Sequence, residues 1–242
     1  MAKGTRVNYD EVRKKALHTA ALLFLSNGYT STPIRMIAKE AGVGLTSMLR
    51  VFSSKEGILC ELVKFVLEGQ FSTAQKMLAG MTDDPVLYYA TETTLQLYMA
   101  ESDEAVRDLY SAAYSSPDSA ELIYRTVSRR LLQAVFHDYL PEQREEDFYH
   151  LEIASGSIIR GYMTVPCTPD FPMEEKVRYF LENSLKMYNV PPEKREEAND
   201  FVKRFDYSAI ARQTIENMFV QLETALNKNE MTTVFNEGYP SS

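Results

Sequence analysis

Apolar residues recur along most of this chain at three- and four-residue steps, and no stretch keeps the strict alternation of a half-buried strand. Val12, Ala16, Ala20, Leu23 and Phe24 form the first stripe and predict a helix over 9–26, which Gly28 stops. A shorter pattern follows. Pro33 pre-sets φ for a first helical position, and the Thr32 hydroxyl before it is placed to cap free amides. Ile34, Ile37, Ala38 and Ala41 then share one face, while Arg35 and Lys39, four apart, share the opposite one. Gly42 permits the left-handed backbone that ends one helix, and Val43 can plug the angle to the next. A second short helix runs from about Gly44 to Phe52. Met48 and Phe52 lie on its inner side, and Thr46, Ser47 and Arg50 lie on a side with hydrogen-bonding groups and little bulk. Ser53 or Ser54 can cap a fourth helix through Val63, Phe65, Val66 and Phe71 to Leu78, ending at Gly80.

Beyond Gly80 the pattern predicts amphipathic helices over 84–101, 103–114, 118–140, 142–165 and 173–188, separated by acidic, Pro or Ser breaks. Pro191-Pro192 introduces a further helical segment, with Phe201, Phe205, Ile215, Met218, Phe219 and Leu222 on a stripe broken near Asp206. From Asn229 onward the sequence reads as a disordered tail. The fold class is all-α.

Charge changes the picture. The chain of 242 residues carries −8 overall, but residues 1–66 hold ten Lys and Arg against five acids, a net +5, which leaves −13 for the rest. A basic head on an acidic body localises attraction for phosphates and repels DNA from everywhere else. Two short helices joined by a tight turn on that head suit the DNA major groove. On this reading Arg35 reaches guanine O6 and N7, with Lys39, Gly44, Leu45, Thr46, Ser47, Leu49 and Arg50 along the groove. Thr32 and Lys55 would meet phosphates, Lys55 adding its charge to the free amides of the fourth helix. Lys3 and Arg6 either lie in the adjacent minor groove or form an arm without function.

Other chemistry finds little support. The three histidines, His18, His137 and His150, make no HxxxH pair, no GxSxG elbow occurs, and Gly156 to Gly161 lacks the Lys-Ser/Thr pair of a phosphate loop. The run Glu145-Glu146-Asp147 reads as a helix start. No catalytic residue, metal site or cofactor is expected. Cys60 and Cys167 are far apart and have no metal-ligand spacing, so both read as reduced and structural. No apolar run reaches about 18 residues and no secretory signal is evident, so a cytoplasmic protein without a membrane partner is expected.

The elements Ala20-Ala21-Leu22-Leu23-Phe24, Asn27-Gly28-Tyr29, Thr32, Ile37-Ala38, Ala41-Gly42-Val43, Phe52 and Ser54-Lys55-Glu56 followed by Ile58-Leu59 carry a resemblance. From Tyr9 to Leu62 the chain resembles the helix-turn-helix of the TetR/AcrR family of bacterial transcriptional regulators. It departs at Leu49, where the family usually has an aromatic phosphate contact, and at Val51, which replaces a common His or Tyr. The resemblance implies a helix-turn-helix DNA-binding domain over 1–54 and a helical effector-binding and dimerisation domain over 55–228, with the tail at 229–242.

Tyrosines with apolar rings and polar tips suit a mostly apolar pocket that orients something polar. Candidate ligand contacts are Phe65, Tyr88, Tyr98, Arg107, Tyr110, Tyr114, Tyr124, Arg125, Tyr149, Glu152 and Met163. The family's paired dimer helices correspond in position to 142–164 and 173–188, where Gly156, Ile159, Tyr162, Val177, Leu181, Ser184 and Tyr188 would face a second copy. Burial within one subunit is the competing reading of those residues. The expected function is a homodimeric regulator, a repressor, that is released from or retained on palindromic double-stranded DNA by a small-molecule effector of unknown identity. The alternatives are an all-helical oligomeric interaction module, a regulator controlled by a protein partner and, further behind, an enzyme. A body cavity of about 300 Å³ or more separates small-molecule from protein control.

Overall fold

The computed structural model describes residues 8–228; Lys3, Arg6 and the tail at 229–242 lie outside the described residues. Helix α1 (Tyr9–Asn27) starts where the Asn8 side chain accepts from the amides of Asp10 and Glu11, at 3.1 and 3.3 Å. It ends at Gly28, whose φ of +80° suits a residue without Cβ. Helix α2 (Ile34–Glu40) closes in a Schellman turn around Gly42 at φ +63°, with Val43 N–H on the Ala38 carbonyl and Gly42 N–H on that of Lys39. Helix α3 (Leu45–Phe52) follows, with Gly44 as its cap. Ser54 then caps α4 (Lys55–Leu78) by accepting from the Gly57 amide at 3.1 Å.

Gly57 itself is a steric requirement. A Cβ there would lie 1.9 Å from the Phe52 carbonyl oxygen, so only glycine lets α4 start this close to the end of α3. Met48 and Phe52 face inward onto Ala16, Leu17, Ala20, Phe24, Ile37 and Ile58, forming a small apolar core. Each of the two large side chains contributes roughly 1.5–3 kcal/mol by leaving water.

The rest of the chain wraps around α5 (Pro85–Glu101), which is buried on almost every side. It is followed by α6 (Glu104–Ser115) and α7 (Pro117–Val127). The stretch expected as one helix over 118–140 is interrupted. A π-helical turn at Ser128–Leu132 follows α7, then a short α8 (Gln133–Phe136) and a 3₁₀ turn at His137–Tyr139. Apolar periodicity cannot register that single widened turn, because inward positions continue through it at Leu131 and Leu132 and beyond it at Val135 and Phe136. Helices α9 (Glu145–Thr164), α10 (Met173–Met187), α11 (Pro192–Val202) and α12 (Tyr207–Lys228) complete the body, and the break at Asp206 is where the sequence places it. Among the described residues there is no strand, and no helix is long and apolar enough to cross a membrane.

Two consequences for assembly and coupling follow. Gly156, Ile159, Val177, Leu181, Ser184 and Tyr188, the positions expected to meet a second copy, are buried inside this one chain; Tyr188 stacks on Phe136 at 3.9 Å. Of that set only Tyr162 is partly exposed. The apolar stripe correctly marks buried faces, but it belongs to the chain's own core. The outward face of α9 and α10 instead carries Ile153, Ala154, Ser157, Gly161, Tyr179 and Asn183. Helix α12, meanwhile, spans both cores. Met218 packs against Gly69 of α4, Leu222 enters the head core, and Glu223 bonds His18 of α1 at 2.9 Å.

Candidate nucleic-acid interface and interior site

The head presents one face of α2 and α3 to solvent. Arg35, Lys39, Thr46, Leu49 and Arg50 are exposed, Gly44 is exposed at the start of α3, and Leu45 and Ser47 are partly covered. Arg35 makes no ion pair among the described residues, whereas Lys39 approaches Glu40 only at 4.0 Å. Arg50 donates to the Tyr9 hydroxyl at 3.0 Å, which steadies the guanidinium beside the first turn of α1. Tyr9 is thus part of this face. Its isolated position at a helix start gave no sequence signal.

Two expected phosphate contacts sit elsewhere. Thr32 is fully buried, and its hydroxyl donates to the carbonyls of Gly28 at 2.7 Å and Leu23 at 3.3 Å, so it locks the α1–α2 turn; the cap position of α2 falls to Pro33. Lys55 folds back, donating its ammonium to the Tyr29 carbonyl at 2.9 Å while lying 3.8 Å from the centre of the Tyr29 ring. Burial lowers its pKa. A short polar side chain between helices reads equally as a cap or as an internal staple, and the sequence does not separate the two.

The head is joined to the body through α6. Asp108 accepts from the Thr30 amide and hydroxyl, both at 2.7 Å, and sits so close to Gly28 that a Cβ there would lie 2.8 Å from its carboxylate. Glu56 of α4 accepts from the Asp118 amide at 3.0 Å. Two residues beyond Asp108 on the same helix, Tyr110 turns into the body, where Gln70 bonds its hydroxyl.

Inside the body the expected ligand residues divide. Tyr110 and Tyr114 line a cavity of about 50 Å³ with Leu59, Val63, Gln70 and Gln96. Phe65 and Tyr110 line a neighbouring cavity of about 70 Å³ bounded by Ala21 and Leu25 of α1 and by Met218, Phe219 and Leu222 of α12. The two spaces share Leu62, Val66, Leu109 and Tyr110 as walls. Glu152 and Met163 are buried, and Tyr124 is half-buried against Gly156. Tyr88 lines a surface groove of about 710 Å³ between α4, α5 and the π turn, where the Arg130 guanidinium pairs with Glu68 and lies 5.4 Å from the Phe71 ring.

Four candidates point away from these spaces. Arg107 pairs with Glu101 at 3.0 Å, Tyr98 stacks on Tyr207, and Arg125 and Tyr149 both bond Glu121 on the outer surface. The sequence reading also missed Glu92, which is buried at the centre of α5 and accepts from Gln96 at 2.6 Å. Burial raises the Cys60 thiol to about 11, so it resists forming a thiolate.

A basic, three-helix head with an exposed second helix, carried on a larger helical body, defines a helix-turn-helix DNA-binding regulator. Residues 16–62 match the family model of the bacterial regulatory proteins, tetR family, so the head is similar to that family's DNA-binding domain. It is 26% identical over 166 residues to YttP, a probable HTH-type transcriptional regulator of Bacillus subtilis, covering 68% of this chain and 73% of YttP. It is 28% identical over 134 residues to the HTH-type transcriptional repressor KstR2 of Rhodococcus jostii, covering 55% of this chain and 58% of KstR2. Its fold is similar to that of RolR crystallised with resorcinol, with a TM-score of 0.59 and 14% identity over 81% of this chain and 95% of RolR.

Proposed function

We propose that this protein is a repressor that binds a palindromic operator as a homodimer and changes its grip when a small molecule enters the helical body. The observation that carries the reading is mechanical. Helix α6 holds the head through Asp108 on Thr30, and the same helix supplies Tyr110 and Tyr114 to the walls of the body cavity. A guest that displaces those rings shifts the segment on which the head is anchored. The cavity wall reaches the head a second way, through Ala21 and Leu25 of α1 and the spanning helix α12. By linkage, an effector that binds one head spacing better must weaken or strengthen DNA by the same factor that DNA exerts on it.

Domain limits at 1–54 and 55–228 belong to this proposal; the head's apolar cluster draws in Ile58, Leu62 and Leu222 from beyond that limit, so the two units share α4 and α12. The outward face of α9 and α10, with Ile153, Ser157, Gly161 and Tyr179, is the surface we assign to the second copy. Nothing lies within 4 Å of a Cβ built on Gly161, so a partner helix can approach closely there. A dimer has its own functional reason, since two recognition helices about 34–36 Å apart read one palindrome. Small-molecule control is supported by the resorcinol bound to RolR, and repression by the name of KstR2. The interior spaces of about 50 and 70 Å³ are smaller than the roughly 300 Å³ of a metabolite pocket, so an effector must open them. The groove of about 710 Å³ lies apart from them at the surface.

Selection of genomic fragments by the purified protein, with and without a small-molecule extract of cells, tests the reading. Enrichment of inverted repeats that the extract abolishes or enhances is the expected result. Enrichment of no sequence, or an occupancy indifferent to the extract and changed only by a protein fraction, overturns small-molecule control.

A further inference from the structure

Helix α5 carries Thr91, Glu92, Thr93 and Thr94 into the body interior, and all four are buried. Glu92 is 1% exposed, and Glu152, from α9, is 4%. Neither takes part in an ion pair among the described residues. Glu92 accepts from Gln96, whose own oxygen accepts from the Tyr114 hydroxyl at 3.1 Å, and Glu152 accepts from the Ser155 hydroxyl at 2.7 Å. The two acids are close enough for the charge of Glu92 to act on Glu152, and Tyr89 and Tyr114 feel both. Burial pushes Glu92 up to about 7 and Glu152 to about 8, the second helped by its neighbour. Tyr188, fully buried and within reach of Glu152, leaves its hydroxyl without a hydrogen bond.

A core has no need of two acids held without counter-charge, because a neutral side chain of the same size avoids the desolvation cost. We infer that Glu92 and Glu152 form the polar end of the effector site and select an organic cation, an amine with an apolar body. This rests on the reading that the effector binds in the body. The cationic head displaces Gln96 from Glu92, among the rings of Tyr89, Tyr110 and Tyr114, whose π faces attract positive charge. The apolar part takes the space walled by Leu59, Leu62, Val66 and Leu109, which neither glutamate lines; Gln96, which bonds Glu92, and Tyr114 stand between them. That space is small, so the guest widens it into the neighbouring one, where unbranched Met99 and Met218 re-pack at low cost. When the ammonium enters, a carboxyl gives its proton to solvent and the ion pair replaces a neutral acid. An anion meets hydroxyls but no positive charge among the side chains named here, and the acidic body as a whole attracts cations.

Three probes of one shape test this: 2-phenylethylamine, 2-phenylethanol and phenylacetate, titrated calorimetrically into the full chain at pH 7 in two buffers of different ionisation enthalpy. The amine should bind roughly tenfold or more tighter than the alcohol, releasing a proton, and phenylacetate weakest. Glu92→Gln and Glu152→Gln, neutral and of equal size, should erase the preference without altering the circular dichroism. Equal affinities, no binding by any probe, or a preference that survives both substitutions would overturn the inference. A parallel DNA titration separates the two readings. If the amine binds and DNA affinity does not move, the cation site stands and effector control fails; if only the neutral probe moves DNA affinity, the reverse holds.

Discussion

Head and body are both packed helices, but their interiors differ in kind. The head core consists of Leu17, Phe24, Ile37, Met48 and Ile58, and Thr32, the polar side chain buried with them, spends its hydroxyl on two carbonyls of its own turn. The body core keeps Gln70, Glu92, Gln96, Glu152 and Ser184 buried beside aromatic rings, with the hydroxyls of Thr94 and Tyr188 unmatched. A fully satisfied apolar core has one preferred arrangement and presents one rigid face. A core with unmatched polar groups gains hydrogen bonds when a guest arrives, so it has a reason to rearrange. Under the proposed function, this contrast suits a head that reads and a body that senses.

The head's rigidity depends most on Gly57. Gly57→Ala drives a Cβ into the Phe52 carbonyl and should cost roughly 3 kcal/mol or more in urea denaturation, abolishing DNA binding. A loss below about 0.5 kcal/mol, the range of a neutral surface change, would show that the α3–α4 junction yields easily.

The body's acids should show in the pH dependence of stability. Their folded pKa values lie above the ordinary 4.5, so the folded state holds protons that the unfolded chain releases. Stability is complete below about 4.5 and is lost as pH rises through about 7 to 8. Between pH 5 and pH 9 each acid should account for a loss on the order of 3 kcal/mol, and Glu92→Gln should remove its share. Identical slopes for wild type and variant would show that Glu92 ionises freely.

The joint between the regions comes next. Asp108→Ala strips the Thr30 amide and hydroxyl of their acceptor and should destabilise the head by roughly 1–3 kcal/mol. It should also reduce the response of DNA affinity to the effector more than effector binding itself. Lys55→Ala, which frees only the Tyr29 carbonyl and ring, should cost about 1 kcal/mol, read as a lower melting temperature.

Legibility in the sequence follows the same divide. In the head, burial repeats at helical steps and the turns use residues with one conformational meaning, so Gly28, Gly42, Met48 and Phe52 read correctly, and the α4 cap, open in the sequence between Ser53 and Ser54, falls to Ser54. Thr32 and Lys55 misled because a polar side chain at a helix junction serves the chain or a ligand equally well. In the body, α5 is covered all round, so its Thr-Glu-Thr-Thr run looks like a solvated face and hides Glu92. Helices α9 and α10 show the complementary failure. Apolar spacing located a buried face at Ile159, Val177 and Leu181, but spacing cannot say whether the same chain or a second copy covers it.

The claim on which the account rests is that the exposed face of α2 and α3 reads bases. It is met most directly by titrating wild type and Arg35→Ala onto a selected operator and a panel of its single-base variants. Arg35→Ala should cost roughly 1–3 kcal/mol on the operator and become indifferent to one base pair, repeated symmetrically in both half-sites. An equal loss on every variant, or no loss at all, would contradict base readout from this face.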